Sequence, residues 1–346
     1  MLKIGPRTYA LPAVQAALSG YSDRAMRMVA RRWGAELTMA EVVLDQLVLL
    51  RGKLRERMLH IGEDDHPIGG QLMGAEPEQF GRAAAELVAH DYDLVDINFG
   101  CPVKKVLGRC RGGYLLTTPG AALDIVKSVL DNVGGRRPVT VKMRRGFDDS
   151  ADSERNFFDI LDGAFDLGVA SITVHGRTVK QRYEGPSNRD FVARVKRHAG
   201  DRIILGSGDV FAPEDAAAFL AETGVNGVWI ARGAIGNPFI FREVRALLEA
   251  RPLPPPPTVA EQREALAEHL RLTAEVYGPE RAGVVMRKVC IRYADLHPLE
   301  DQVRRAFIEA RTSNDVEQAL QRWYDPATDW PPVRRAVRGA AAALAE

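Results

Sequence analysis

Apolar and polar positions alternate in two rhythms along the first 249 residues. Short apolar runs suited to buried strands fall at 14–18, 36–41, 67–71, 94–98, 139–143, 171–175, 202–206 and 227–231. Stretches of helical periodicity separate most of them. In 119–133, Leu123, Val126, Val129 and Leu130 recur on one face, and a helix around 216–221 is opened by Pro213 and closed by Gly224. Eight strands alternating with helices predict an α/β fold, a (β/α)8 TIM barrel, which takes about 250 residues. A doubly wound open sheet fits less well, because it has fewer strands and would place a glycine-rich turn after the first.

Residues 251–257 read RPLPPPP, a stiff spacer that cannot continue a helix. Beyond it the pattern is almost strandless. Leu266, Leu270, Ala274 and Tyr277 mark one helical face, and 284–293, 303–310 and 316–323 read as further short helices. The expected organisation is a catalytic barrel over 1–249, a proline-rich linker over 250–258 and a small all-helical domain over 259–346. The final GAAAALAE has little to pack and is expected to fray.

With 46% hydrophobic and 27% charged residues, the chain has the composition of a folded globular protein. A formal charge of +1 supplies no global field that would demand a nucleic acid, so any RNA contact must come from local patches. Neither a basic leader with an apolar run nor a membrane-length apolar stretch occurs, and a soluble, cytoplasmic, monomeric protein with no membrane partner is expected. Cys101, Cys110 and Cys290 have no CxxC or Cys/His ligand spacing, which argues against a disulfide framework and against a metal site.

Period-two alternation assigns faces. In VTVKMR, Val139, Val141 and Met143 should meet the helices, leaving Thr140, Lys142 and Arg144 toward the barrel interior and mouth, where unpaired basic groups imply a ligand. In the sixth strand Ile172 and Val174 face out, while Ser171, Thr173 and His175 face in. The fourth strand directs Asp96 and Asn98 inward and runs into a turn carrying Cys101. This thiol is either a small buried hydrophobe or, beside Lys104, Lys105, Arg109 and Arg111, a reactive group. Two glycine-containing loops, Gly206–Ser207–Gly208–Asp209 and Ala231–Arg232–Gly233, follow strands seven and eight, the usual phosphate-binding place of a barrel. In the helical part, Arg281, Arg287, Lys288 and Arg292 form a run without an acidic residue, suited to phosphates or simply to solvent.

Together, DINFGCPVKKV, VTVKMRRG, ITVHGRT, GSGD and IARGAIGNPFIF, in this order, resemble the bacterial tRNA-dihydrouridine synthases, most closely their B class. The resemblance implies an FMN-binding barrel, NADPH as reductant, and tRNA as the partner of the helical domain. It implies that Gln71, Lys142 and His175 contact the flavin, with Ala17 and Leu18 beneath it and Gly206, Ser207, Gly208, Asp209, Ala231, Arg232 and Gly233 around its phosphate. Asn98 would hold the uracil and Cys101 would be the general acid. Arg144, Arg177, Lys104, Lys105, Arg287 and Lys288 would contact the RNA. The chain departs from the family pattern at Ala17, where proline is usual, at Leu18, where methionine is usual, and at Ser207, where asparagine is usual. The rival readings are an FMN barrel acting on a small molecule, of dihydroorotate or enoate type, and a non-catalytic tRNA-binding protein.

Overall fold

A computed structural model describes residues 1–333 and residue 335; the alanine-rich end expected to fray lies outside the described residues. The chain begins with an antiparallel hairpin, β1 (Leu2–Ile4) and β2 (Arg7–Tyr9), which the sequence pattern does not announce. Eight parallel strands follow: β3 (Ala13–Gln15), β4 (Leu37–Leu44), β5 (Ile68–Met73), β6 (Leu94–Phe99), β7 (Val139–Arg144), β8 (Ser171–His175), β9 (Ile204–Ser207) and β10 (Gly227–Ile230). They pair in sequence order, and β10 returns to pair with β3, closing the barrel.

The strands are buried on both faces, and the period of two decides which apolar cluster each position joins. Val95, Ile97 and Phe99 of β6, Val141 and Met143 of β7, and Ile172 and Val174 of β8 share one apolar layer with Leu87, Val126, Phe157 and Ile160 of the surrounding helices. The opposite face supplies a separate interior cluster of Val14, Leu37, Met39, Leu94, Leu205 and Trp229. Leu2, Ile4 and Tyr9 of the hairpin join this cluster and plug the end of the barrel where the strands begin. The interior is therefore apolar below and polar above, where the strands end.

After the proline-rich segment come helices Val259–Tyr277, Pro279–Tyr293, Glu300–Glu309 and Ser313–Trp323. The first opens with a capping box: Thr258 Oγ1 accepts from the Glu261 N–H at 3.2 Å, and the Thr258 N–H donates to Glu261 at 2.8 Å. Leu266, Met286, Val289, Tyr293, Val303, Phe307 and Leu320 form the helical core, which extends onto Ala25 and Val29 of helix Arg24–Arg32 and onto Phe239. Ion pairs from Arg32 to Glu268 (2.8 Å) and from Arg242 to Glu261 (2.5 Å) fasten the same junction. Among the described residues, no helix is long and apolar enough to cross a membrane, and no His, Cys, Asp or Glu group could hold a metal ion.

Candidate active site

The carboxyl ends of the barrel strands surround a cleft of ≈ 230 Å³. Ala17 and Leu18 line one side, after β3. Gln71, Asn98, Cys101, Lys142, Arg144 and His175 come from β5 to β8 and their turns, and Ser207, which ends β9, joins Gly208, Asp209, Ala231 and Arg232 beyond β9 and β10. Residues 214 positions apart in sequence, Leu18 and Arg232, thus line one cleft because the barrel closes.

Hydrogen bonds fix the polar wall. Asn98 Nδ2 donates to Gln71 Oε1 at 2.8 Å, and Gln71 Nε2 donates to Asp96 Oδ2 at 2.7 Å. Asn98 Oδ1 accepts from the backbone N–H groups of Gly100 (2.9 Å) and Cys101 (3.1 Å), so the cysteine turn hangs from the Asn98 side chain. Arg144 braces that turn from the other side: its Nε donates to the Gly100 carbonyl at 2.9 Å, and Nη1 donates to the carbonyls of Thr178 (2.9 Å) and Arg182 (2.6 Å).

The site gathers Lys142, Arg144 and Arg232 in one cleft, and its titratable groups respond. Burial, reinforced by Arg144, pulls the half-buried Lys142 ammonium down to about 8. Burial likewise raises the Cys101 thiol, against the opposing effects of a backbone hydrogen bond and the nearby Arg144 and Lys142, so the group is a neutral thiol at neutral pH. Desolvation, followed by the positive charges of Arg144, Lys142, Arg177 and Arg232, holds His175 well below its ordinary range. The neutral ring accepts the Arg177 N–H at Nδ1 (3.1 Å), which leaves its proton on Nε2 as a donor.

Glycines let the loops after β8, β9 and β10 pack closely on one another. Gly208 has φ +122, and a Cβ there would stand 2.3 Å from Ser187 Oγ. A Cβ on Gly233 would stand 2.3 Å from the Val210 carbonyl oxygen, so Gly233 packs one loop on the other behind the cleft. Gly206 also faces away from the cleft: it admits the Phe219 ring, which a Cβ would meet at 2.0 Å.

Arg177 differs from its expected place on the RNA-facing rim. Its side chain is wholly buried, donating from Nη2 to Asp209 Oδ2 at 2.7 Å and from Nε to the Gly185 carbonyl at 2.9 Å. Nε and Nη2 tie the loops after β8 and β9 together, while the buried Nη1 has no hydrogen-bond partner among the described residues, and the whole group is removed from the surface. Lys104 and Lys105 are exposed on the short helix Lys104–Leu107, directly after the cysteine turn. Arg287 is half-buried. Lys288, expected as a phosphate contact, donates to the Gly20 carbonyl and lies 4.7 Å from the Tyr21 ring, so its ammonium joins the helical region to the loop after β3.

Three contributors escaped the sequence reading. Trp229 projects inward from β10 with its ring 6.0 Å from Lys142 Nζ, a position that period two would have found. Tyr183, the aromatic residue of the loop after β8, stands at the mouth between Arg144 (5.5 Å) and Arg232 (5.1 Å). The third is Asp96, read as inward but given no role.

Comparison with known proteins fits this geometry. A family model described as Dihydrouridine synthase (Dus) matches residues 14–328. The chain is 36% identical over 324 residues to tRNA-dihydrouridine synthase B of Xanthomonas campestris pv. campestris, covering 93% of this chain and 95% of that protein. It is 33% identical over 327 residues to tRNA-dihydrouridine synthase B of Escherichia coli strain K12, covering 94% and 99%. Among solved structures, a 2-naphthoyl-CoA reductase complex superposes with TM-score 0.57 at 11% identity over 72% of this chain and 52% of that one. Histamine dehydrogenase from Rhizobium sp. 4-9 gives TM-score 0.55 at 13% identity, covering 72% and 47%. The chain spans about half the length of these two structures, and at such identities they speak for the fold alone.

Proposed function

Since the chain belongs to the dihydrouridine synthase family, we propose that it reduces the C5=C6 bond of uridines in tRNA, using FMN that NADPH has reduced. It is a flavin-dependent oxidoreductase, and its working form in this proposal is a cytoplasmic monomer. The cleft suits FMN by its donor set. Lys142 and the Nε2–H of neutral His175 offer donors to the electron-rich edge of a flavin ring, Ala17 and Leu18 offer an apolar surface beneath it, and Arg232 stands beside the glycine loops where a phosphate would lie. When bound, the flavin supplies the hydride that adds to uracil C6.

The observation that carries the reading is the placement of a neutral thiol, Cys101, in a turn suspended from Asn98 at the mouth of this cationic cleft. Enolate-like charge builds on the uracil ring as C6 is reduced, and Cys101 Sγ relieves it by giving its proton to C5. Asn98 orients the base and the turn together. A uridine inside a folded RNA must leave its stack to reach the bottom of the mouth, and the exposed Lys104 and Lys105 beside the turn hold the flanking phosphates.

Rapid mixing of prereduced Cys101→Ala enzyme with unmodified tRNA, without oxygen, tests the reading. Flavin content and reduction by NADPH should be unchanged, whereas transfer to tRNA should slow by about 10²–10⁴-fold, the usual range for losing a positioned acid. Cys110→Ala, which changes an exposed cysteine outside the cleft, should behave as wild type. Equal near-wild-type transfer in both variants would make Cys101 a packing residue.

A further inference from the structure

We propose that Asp96 is a positioning residue that sets which way round the Gln71 and Asn98 amides point, and through them the Cys101 turn and the hydrogen-bonding sense of the cleft wall. The inference rests on the functional reading above, in which Asn98 and Cys101 stand at the reacting base.

Asp96 is fully buried one inward position below Asn98 on β6. Its Oδ1 accepts from Thr140 Oγ1 at 2.5 Å and its Oδ2 accepts from Gln71 Nε2 at 2.7 Å. An ionised carboxylate can only accept, so the Gln71 NH2 must face it, and Gln71 Oε1 must turn to Asn98. Asn98 then presents its NH2 to Gln71 and its Oδ1 to the N–H groups of Gly100 and Cys101, which can only donate. A fixed acceptor at one end and fixed donors at the other leave a single consistent orientation for both amides. Each amide also keeps a second N–H outside this chain of bonds. Gln71 and Asn98 both line the cleft, which is thereby set to meet acceptors such as the carbonyl oxygens of a pyrimidine or of a flavin.

A carboxylate is a costly way to satisfy one glutamine. Burial pushes Asp96 up to about 6, against the hydrogen bonds from Thr140 and Gln71 and the charge of Lys142, and the layer beneath it is apolar: Leu94, Met39 and Leu205. An apolar residue would fill the space at lower cost, but it would offer the Gln71 NH2 no acceptor and so would leave the direction of the amide unset.

Asp96→Leu, Asp96→Asn, Asn98→Ala and the Asp96→Leu/Asn98→Ala double variant form the test, read by FMN titration of the apo-protein and by single-turnover transfer to tRNA. Asp96→Leu should weaken FMN binding by about 3–10-fold, the worth of one net hydrogen bond. It should slow transfer by about 10–100-fold through misplacement, with tRNA affinity unchanged. Asp96→Asn should recover both readouts to within about 3-fold, because its carbonyl can accept from Gln71 while its NH2 meets Thr140 Oγ1. In the Asn98→Ala background, Asp96→Leu should cost no more than about 2-fold further, as for residues acting in one chain.

Equal damage from Leu and Asn, or full additivity with Asn98→Ala, overturns the inference while leaving the functional reading intact. Wild-type transfer in Asn98→Ala alone overturns both. Should Asp96→Leu not fold, side-chain amide exchange of Gln71 and Asn98 in the wild-type apo-protein decides by NMR: slow exchange supports the locked orientation, and exchange as fast as that of exposed amides overturns it.

Discussion

Arg177 Nη2 lies 2.7 Å from Asp209 Oδ2, in an ion pair whose guanidinium is wholly buried. The same carboxylate oxygen accepts the Ser187 N–H at 2.8 Å, and Arg232 stands 3.4 Å from Oδ1, so Asp209 ties its own loop to those after β8 and β10 at one end of the cleft. Arg177→Met should lower unfolding free energy by about 3–5 kcal/mol, the range for breaking one side of a buried pair. A shift of the urea midpoint measures it. The salt dependence of tRNA binding should not change; a flatter salt slope at unchanged stability would return Arg177 to the RNA.

Burying the Lys142 ammonium costs stability. Its folded-state pKa is depressed from 10.5 to about 8, so the folded protein is destabilised by keeping the ammonium charged. That penalty is complete below pH 8 and fades as pH rises toward 10.5, because the unfolded chain then releases the proton as well. Lys142→Met should therefore stabilise the apo-protein at pH 7, by roughly 1–3 kcal/mol, and the gain should vanish near the upper limit. Transfer to tRNA should fall at the same time. Thermal melts at pH 7 and pH 10 check the sign, and a variant less stable at pH 7 would refute it.

Cys101 should rest as a neutral thiol and alkylate only through its small thiolate fraction. Because burial raises its pKa, its reaction with iodoacetamide in the apo-protein should climb about tenfold per pH unit between pH 7 and 9 without levelling off. The exposed Cys110 should be labelled first at neutral pH. Peptide mapping after timed quenching separates the two sites. A rate for Cys101 that levels off below pH 8 would identify a thiolate and exclude it as the proton donor.

The exposed pair Lys104 and Lys105 should carry more of the RNA electrostatics than Lys288, whose ammonium is engaged by Gly20 and Tyr21. Replacing both rim lysines by alanine should reduce the salt slope of tRNA binding by roughly one unit for each phosphate that is no longer neutralised. Lys288→Ala should leave the slope nearly unchanged and loosen the junction between barrel and helical region, seen as faster amide exchange in residues 17–21. The reverse ranking of slopes would place the helical stripe, not the cysteine loop, on the RNA backbone.

Local rhythm along the chain was enough to read the barrel. The strand at 171–175 and the helix at 119–133 have the same limits in sequence and structure, and the inward set Asp96, Asn98, Lys142, Arg144 and His175 follows from alternation, because in a strand the direction of a side chain is a property of consecutive residues. The hairpin Leu2–Tyr9 was invisible for the same reason: strands of three residues are too short to show a period. Motif spacing placed Cys101 and the glycine loops near one mouth. What closure alone decided was who bonds to whom. Arg177 reaches Asp209 across 32 residues, Lys288 reaches Gly20 across 268, and Asp96 reaches Gln71 across 25. Long cationic side chains look alike in sequence whether they meet solvent, RNA or a buried carboxylate. Only the folded backbone brings a partner within hydrogen-bond distance, and desolvation then makes that partner obligatory.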